Sequence, residues 1–342
     1  MTRVGFMGMV HYLSYQKVPG AKVVALCDAN SKRLAGDWTD IQGNFGPAGE
    51  QMDLTGIATY ESSDELLGDP NIDLVDITLP PAAHAGVAIA ALESGKHVFC
   101  EKPMAMTVED CDRMLVAAKK ADKQLLIGHV LPYFPEYAWA LHEVTSGKHG
   151  RVLGGSFKRV IADPSWLANY WSAEAVGGPM LDLHVHDAHY IRLLFGMPEA
   201  VTTWGRTRNG LAAHWHTNFD YGPQGPVVHA MSGTIDQQGR AFNQAFEIQL
   251  EHATLVFEFA VIDGEGVTLC PPTIFRDDSK VERVQLPGGD PMDAFAEEIH
   301  NVVHSVQGSV LDPVADGHLA RDAIHLCQKQ TESLHSRCRV VI

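Results

Sequence analysis

The chain has 342 residues, 45% hydrophobic and 20% charged, the profile of a soluble globular protein long enough for two domains of ordinary size. A formal charge of -16 excludes a polyanion partner, because binding nucleic acid takes a basic surface that displaces counterions. No 18-residue apolar run is present, and the opening Met-Thr-Arg-Val-Gly-Phe is expected to enter a strand at once, leaving no room for a signal or transit peptide; no membrane contact and a cytoplasmic location follow as expectations. Cys27, Cys100, Cys111, Cys270, Cys327 and Cys338 contain no Cys-x-x-Cys pair, so they read as thiols of a reducing compartment, not as a zinc site or a disulfide framework.

In chain order, Arg3 to Met9 reads as a short apolar strand and His11 to Val18 as a helix stopped by Pro19-Gly20. Ala21 to Cys27 is a second strand with a β-branched centre, followed at once by Asp28. Ala35 to Tyr60 is a glycine-rich, acidic excursion that reads as a solvated loop. Ile72 to Leu79 is strand-like, runs into Pro80-Pro81 and passes to an alanine-rich helix over His84 to Leu92. Lys96 to Cys100 is a strand, Glu109 to Ala121 a helix and Gln124 to Ile127 a strand. Alternation of this kind, with strands apolar throughout, predicts a parallel sheet covered on both faces: a doubly wound Rossmann domain over residues 1–128.

Beyond about Gly128 the pattern changes. Val152 to Ile161, Val227 to Ile235, Ala245 to Glu251 and Thr254 to Val261 are strand-like with little helix between them, which predicts an α+β domain over residues 129–342 built on a large, open, mostly antiparallel sheet. The hinge is expected near His129 to Phe134.

Three places carry chemistry. In the first strand-to-helix turn of a doubly wound fold, backbone N–H groups meet a pyrophosphate, and an acidic residue ending the second strand accepts from a ribose diol. Asp28 has that position, whereas Gly5-Phe-Met-Gly8 contains only Gly-x-x-Gly and reads either as a shortened turn or as a strand glycine followed by an ordinary turn. Second, Gly95-Lys-His-Val-Phe-Cys-Glu101-Lys102-Pro103 sets Lys102 at the carboxyl end of a strand, where open α/β sheets bind cofactors; a solvated turn lysine is the plainer alternative. Third, Gly177-Gly-Pro-Met-Leu-Asp182-Leu-His184-Val-His186-Asp187-Ala-His189 predicts a helix opening from a glycine turn, with Asp182, His186 and His189 on one face and His184 on the other. A carboxylate beside an imidazole suits a proton relay near neutral pH; a polar helix face packed at an interface would look the same. A metal on His186 and His189 is the sharper rival, but Asp182 lies about 10 Å along the axis from His189 in an unbroken helix, so other ligands such as His214 or His216 would be needed.

Taken together, Asp28, Ile77 to His84, Gly95 to Pro103 and the Asp182-x-x-x-His186 helix resemble the Gfo/Idh/MocA oxidoreductases, the glucose-fructose oxidoreductase and inositol dehydrogenase group, over nearly the whole chain. The resemblance implies hydride transfer between NAD and a secondary alcohol or ketone of a sugar, cyclitol or sugar derivative. Lys102 matches the lysine at the reacting oxygen, and Asp182 and His186 match the substrate-binding pair, with the histidine as acid and base. Gly8, Met9, Leu79, Pro80, His84 and Glu101 match cofactor positions, and Asp28 favours NAD over NADP, although Ser31, Lys32 and Arg33 leave NADP open. The chain departs from the family pattern in its glycine turn, at His189 where an acid is usual, and at His184 where glycine is common; the two histidines imply an altered substrate pocket. Arg159, Trp166, Tyr170, Trp171 and Arg206 join His189 as substrate candidates. A redox-neutral sugar lyase or glycoside-cleaving enzyme, metal-assisted or not, and a non-catalytic NAD or sugar sensor are the other readings. Homodimers or homotetramers through the open sheet are implied as well.

Overall fold

The computed structural model describes residues 1–165, 167, 169–287, 289–308 and 314–342. It divides into two compact units, Met1–Phe134 with Gly288–Arg321, and Pro135–Pro287 with Asp322–Ile342. The chain passes from one unit to the other between Phe134 and Pro135. Residues beyond 288 differ from the expectation of a second domain running unbroken to 342, because a late helix returns to pack on the first unit.

The first unit begins with helix α1 (Phe6–Tyr15), followed by β1 (Ala25–Cys27), α2 (Ser31–Leu34), β2 (Ala58–Tyr60), α3 (Ser63–Gly68), β3 (Leu74–Ile77), α4 (Pro81–Glu93), β4 (His97–Glu101), α5 (Val108–Ala121) and β5 (Leu125–Gly128). β1 and β2 pair in parallel, as do β3, β4 and β5, and Thr2 bridges Cys27 and Ile77 in parallel to both. Counting the Thr2 segment as the first strand, the spatial order is 3-2-1-4-5-6, the doubly wound arrangement with its switch point beside Thr2. The helices start where their sequences direct. Thr107 and Ser62 accept from amides in the first turns of α5 and α3, and acidic residues follow in both turns.

The structure corrects two expectations in this unit. The first strand is not Arg3 to Met9: extended pairing is confined to Thr2, and the helix opens at Phe6, since Met9, Tyr12 and neighbouring apolar residues recur at helical spacing toward Leu26 and Trp38. The excursion at 35–60 is exposed over most of its length but is not wholly solvated. Trp38 is fully buried, Ile41 joins the same cluster, and Phe45 stacks on Phe295 at 5.4 Å and meets the edge of Phe6 at 4.9 Å. Its apolar residues, sparse in sequence, converge on α1.

The second unit opens with α6 (Pro135–Thr145) and β6 (Val152–Ala162). A π-helical turn (Met180–His184) leads into α7 (Val185–Phe195), and then come β7 (Ala200–Arg208), β8 (Leu211–Asp220), β9 (Val227–Ile235), β10 (Arg240–Leu250), β11 (Ala253–Ile262), β12 (Glu265–Arg276) and β13 (Val281–Arg283). α8 (Pro291–Val306) belongs to the first unit; α9 (Gly317–Ser336) and β14 (Val340–Val341) end the chain. The nine strands form one sheet in the order β13-β12-β11-β10-β6-β9-β8-β7-β14, antiparallel except for β6 against β9. One face is packed: Phe157 meets Tyr190 and Phe195 of α7, while Thr203 and Thr217 bond Ser333 and Gln330 of α9. On the other face, Trp204 and Val227 are 51% and 77% exposed. No described helix is long and apolar enough to cross a membrane.

Candidate active site

Every parallel strand of the first unit ends on the same edge, and candidate site residues lie along it: Asp28 after β1, Leu79 and Pro80 after β3, Glu101 and Lys102 at the end of β4. α1 starts at that edge with no side-chain cap and no acidic residue in its first turn, so its leading amides and the positive end of its dipole face the turn.

That turn is of full length, which corrects the shortened-turn reading. Arg3 adopts a left-handed backbone, φ +66°, at the position where the Gly-x-Gly-x-x-Gly fingerprint has its first glycine, so Arg3-Val-Gly5-Phe-Met-Gly8 is the fingerprint with that glycine replaced. Gly5 is open: a Cβ there meets nothing nearer than Arg3 Nε at 4.0 Å. Gly8 is closed: a Cβ there falls 2.4 Å from the Arg3 carbonyl oxygen, so α1 approaches the turn only because a hydrogen stands at that position. Asp28 accepts from Val4 N–H at 2.7 Å through one oxygen and from Asn30 N–H at 2.8 Å through the other, which fixes the carboxylate beside the turn with lone pairs to spare. Met9 faces away from this edge, its side chain in the core and its amide given to Gly5 O at 2.9 Å, so it is not a cofactor ligand. Arg33 bonds the Asp37 carbonyl and pairs with Asp40, which draws it away from a 2'-phosphate role.

Lys102 is partly exposed, and the Lys102–Pro103 peptide is cis. Two side chains expected to line the cofactor position instead hold this turn from inside. His84 is fully buried, with Nδ1 2.8 Å from Pro103 O and Nε2 2.7 Å from Leu79 O, tying the two edge turns together. Glu101 accepts from Lys102 N–H at 3.0 Å through one oxygen and meets His11 Nε2 at 3.0 Å through the other.

His11 is the residue that sequence reasoning missed. It is fully buried, stacked on Phe99 at 5.2 Å, with Nδ1 3.0 Å from Asp76 and Nε2 on Glu101. Burial alone would lower its pKa, but the two carboxylates outweigh it and hold His11 well above the ordinary histidine value, as an imidazolium donating from both nitrogens. Glu298 of α8, also fully buried, has no hydrogen-bond partner on either oxygen among the described residues; burial first, then the charge of Glu101, pushes its carboxyl well above the usual range, so it is a neutral acid. The only sequence signal was a histidine three residues beyond Gly8 and a glutamate before Lys102.

In the second unit, Gly177 and Gly178 take φ +78° and +66°, left-handed values that swing the chain into the π turn. The expected unbroken helix is therefore broken at its first turn, and the π geometry rotates Asp182 out of α-helical register with α7. Asp182 and His186 are partly exposed, whereas His189 is fully buried and does not share their accessible face. His184 turns into the sheet, bonding Ser232 at 2.7 Å and meeting Trp215 edge-on at 5.5 Å; burial lowers its pKa to about 4, so it is a neutral packing residue and not part of a substrate pocket. Arg159 is no surface ligand either. Its guanidinium pairs with Asp187 at 2.7 Å and bonds Gln244 and Tyr137, all in the interior. Tyr170 is 2% exposed, its hydroxyl without a partner among the described residues, and the charge of Asp182 adds to burial in raising its pKa. Trp171 bonds Asp163 at 2.9 Å under Arg208, Arg206 is exposed, and Trp166 lies outside the described residues. Among the described residues no group of three or more His, Cys, Asp or Glu side chains could hold a metal ion.

Comparison with known proteins bears on both units. Residues 4–129 match the GFO_IDH_MocA family model, described as an oxidoreductase family with an NAD-binding Rossmann fold, and residues 137–256 match the GFO/IDH/MocA C-terminal domain. A 1,5-anhydro-D-fructose reductase of Ensifer adhaerens is 30% identical over 51% of this chain and 59% of its own. A levoglucosan dehydrogenase of Pseudarthrobacter phenanthrenivorans is 29% identical over 75% of this chain and 72% of its own. An inositol 2-dehydrogenase/D-chiro-inositol 3-dehydrogenase of Lactiplantibacillus plantarum is 32% identical over 44% and 40%. The matched stretch thus spans 59% of the length of the fructose reductase and less than half of the inositol enzyme. Among solved structures, levoglucosan dehydrogenase in complex with NADH and levoglucosan superposes with a TM-score of 0.79 at 20% identity, covering 100% of this chain and 98% of its own, a likeness of fold.

Proposed function

Because the chain belongs to the Gfo/Idh/MocA oxidoreductase family, with its NAD-binding domain, we propose that it transfers a hydride between NAD and a secondary alcohol or ketone of a sugar or cyclitol. The observation that carries this reading is the carboxyl edge of the parallel sheet, along which the uncapped start of α1, the Asp28 carboxylate and Lys102 are set. The open Gly5 and the closed Gly8 fit a dinucleotide: Gly5 lets a diphosphate approach the backbone, and the first amides of α1 bind it. Asp28 accepts from the ribose diol and disfavours a 2'-phosphate, which selects NAD.

The bound cofactor supplies a hydride acceptor or donor. Lys102 offers a positive charge to the substrate oxygen, lowering the cost of alkoxide character, and His186 takes the hydroxyl proton during oxidation and returns it during reduction. Asp182 orients the substrate, with the unpartnered Tyr170 hydroxyl as a further donor nearby. Glu101 holds the Lys102 amide, and His11 holds Glu101, so the turn carrying the lysine is braced from the interior. The relatives named for levoglucosan, inositols and anhydrofructose support a polyhydroxylated ring as substrate. The uncovered sheet face supports pairing with a second copy, and the unpaired cysteines support a cytoplasmic location.

The test is nicotinamide absorbance during incubation with a panel of sugars, cyclitols and glycosides. Net NADH from NAD supports the dehydrogenase; product without net NADH would mean a redox-neutral enzyme, and heat of binding alone a sensor. Lys102→Ala is expected to lose about a hundredfold or more in turnover while NADH still binds. Full turnover by that variant refutes the role of Lys102.

A further inference from the structure

The dinucleotide fingerprint places glycine at its first position because the tight turn there takes a left-handed backbone. This chain keeps the conformation and changes the residue. Arg3 stands at φ +66°, a left-handed value unfavourable for a residue that bears a side chain. Such a residue brings to the turn what glycine lacks, a long side chain ending in a cation.

That side chain lies across the turn, its Nε 4.0 Å from where a Cβ of Gly5 would stand, over the glycine that leaves the backbone open at the start of α1. Arg3 is exposed, and no hydrogen bond or ion pair of its guanidinium is found among the described residues, although the chain carries 42 carboxylates against 26 lysines and arginines. Asp28, the nearest acid in sequence, accepts from the Val4 and Asn30 amides and makes no ion pair with Arg3. The family match begins at residue 4, immediately after Arg3.

We propose that Arg3 is a diphosphate-binding residue, its guanidinium pairing with the cofactor's diphosphate beside the amides of α1. A planar guanidinium matches two phosphate oxygens with parallel N–H donors, and the helix start adds dipole and amides from the other side. The arrangement assigns the diphosphate to Arg3 and the ribose diol to Asp28, so the added charge strengthens dinucleotide binding without selecting for a 2'-phosphate. The proposal rests on the NAD reading above.

The experiment is binding of NADH, NADPH, ADP and adenosine to the full chain and to Arg3→Gly and Arg3→Lys, by isothermal titration and NADH fluorescence at low and high salt. Glycine suits the backbone at position 3, so Arg3→Gly should fold with an equal or higher melting temperature. It should lose about tenfold or more in affinity for NADH, NADPH and ADP alike, as expected when a charged hydrogen-bonding partner is removed, with adenosine unchanged. The loss should shrink at high salt, and Arg3→Lys should recover part of it. Unchanged or tighter NADH binding by Arg3→Gly overturns the proposal, as does a loss confined to NADPH. Failure of the parent chain to bind NADH overturns the cofactor reading itself, and Arg3 with it.

Discussion

Replacing His11 with leucine probes the interior brace of the Lys102 turn. The imidazolium is fully buried and makes two contacts of 3.0 Å, to Asp76 and Glu101; its removal takes away the positive charge that lies between those carboxyls, with Glu298 beside them. Breaking a buried pair from one side costs about 3 to 5 kcal/mol, and a unit of this size loses roughly 2 to 4 °C of melting temperature per kcal/mol, so His11→Leu should melt roughly 6 to 20 °C lower near pH 7. The sign with pH follows from the direction of the shift. A histidine whose folded pKa is raised contributes stability that is complete below its unfolded value, ~6.5, and is lost only as pH rises through the folded value, which lies well above that. The variant lacks that contribution, so its deficit should be largest below pH ~6.5 and narrow as pH rises from there toward the folded value. Tyr15, whose hydroxyl donates to Asp76, and the neutral Glu298 face the same cluster, so Glu298→Gln serves as the control and should change stability by less than about 1 kcal/mol. Scanning calorimetry across that pH range reads all three. A His11→Leu protein melting within 2 °C of the parent, or one whose deficit narrows on acidification from pH 8 to pH 6, refutes the charge assignment (threshold of order one-half kcal/mol).

Gly8→Ala puts a methyl 2.4 Å from the Arg3 carbonyl, so α1 must move; stability should fall by about 1 to 3 kcal/mol and NADH binding with it, read by denaturant melts and titration. His184 has a lowered folded pKa of about 4, so its contribution is intact above ~6.5 and is lost as pH falls from there toward 4. His184→Phe should flatten the acid limb of the stability profile, an effect on the order of 3 kcal/mol, without moving KM. Arg159→Met should cost about 3 to 5 kcal/mol by stranding Asp187, and adding Asp187→Leu should restore most of it, a pattern that a substrate ligand would not produce.

The contrast between these residues shows where a linear chain is readable. Alternating apolar runs and helix-period segments mark β3 to β5 and α4 to α5 within a few residues, because those elements draw their pattern from burial on a regular period. Asp28 and Lys102 are legible for a related reason, since each immediately follows or ends a strand in a parallel sheet, and all such ends share one edge. The return of α8 to the first unit has no local signal; it depends on which surface its apolar stripe fits.

The amino-acid sequence alone determined the fold class, the family and the strand-end positions of Asp28 and Lys102, since periodicity and short motifs are local properties of the chain. Only the tertiary structure decided which polar residues face inward. Arg159, His84, Glu101 and His184 resembled ligands until burial and partners on other segments of the chain became visible; Arg159 finds Asp187, His84 bridges two turns, and Glu101 finds His11. A buried charge is stable only where a partner desolvated with it compensates, and that partner is chosen by the fold and not by the neighbouring sequence. The turn at Arg3 combines both: its spacing is written in the sequence, but the left-handed backbone that identifies it is visible only in three dimensions.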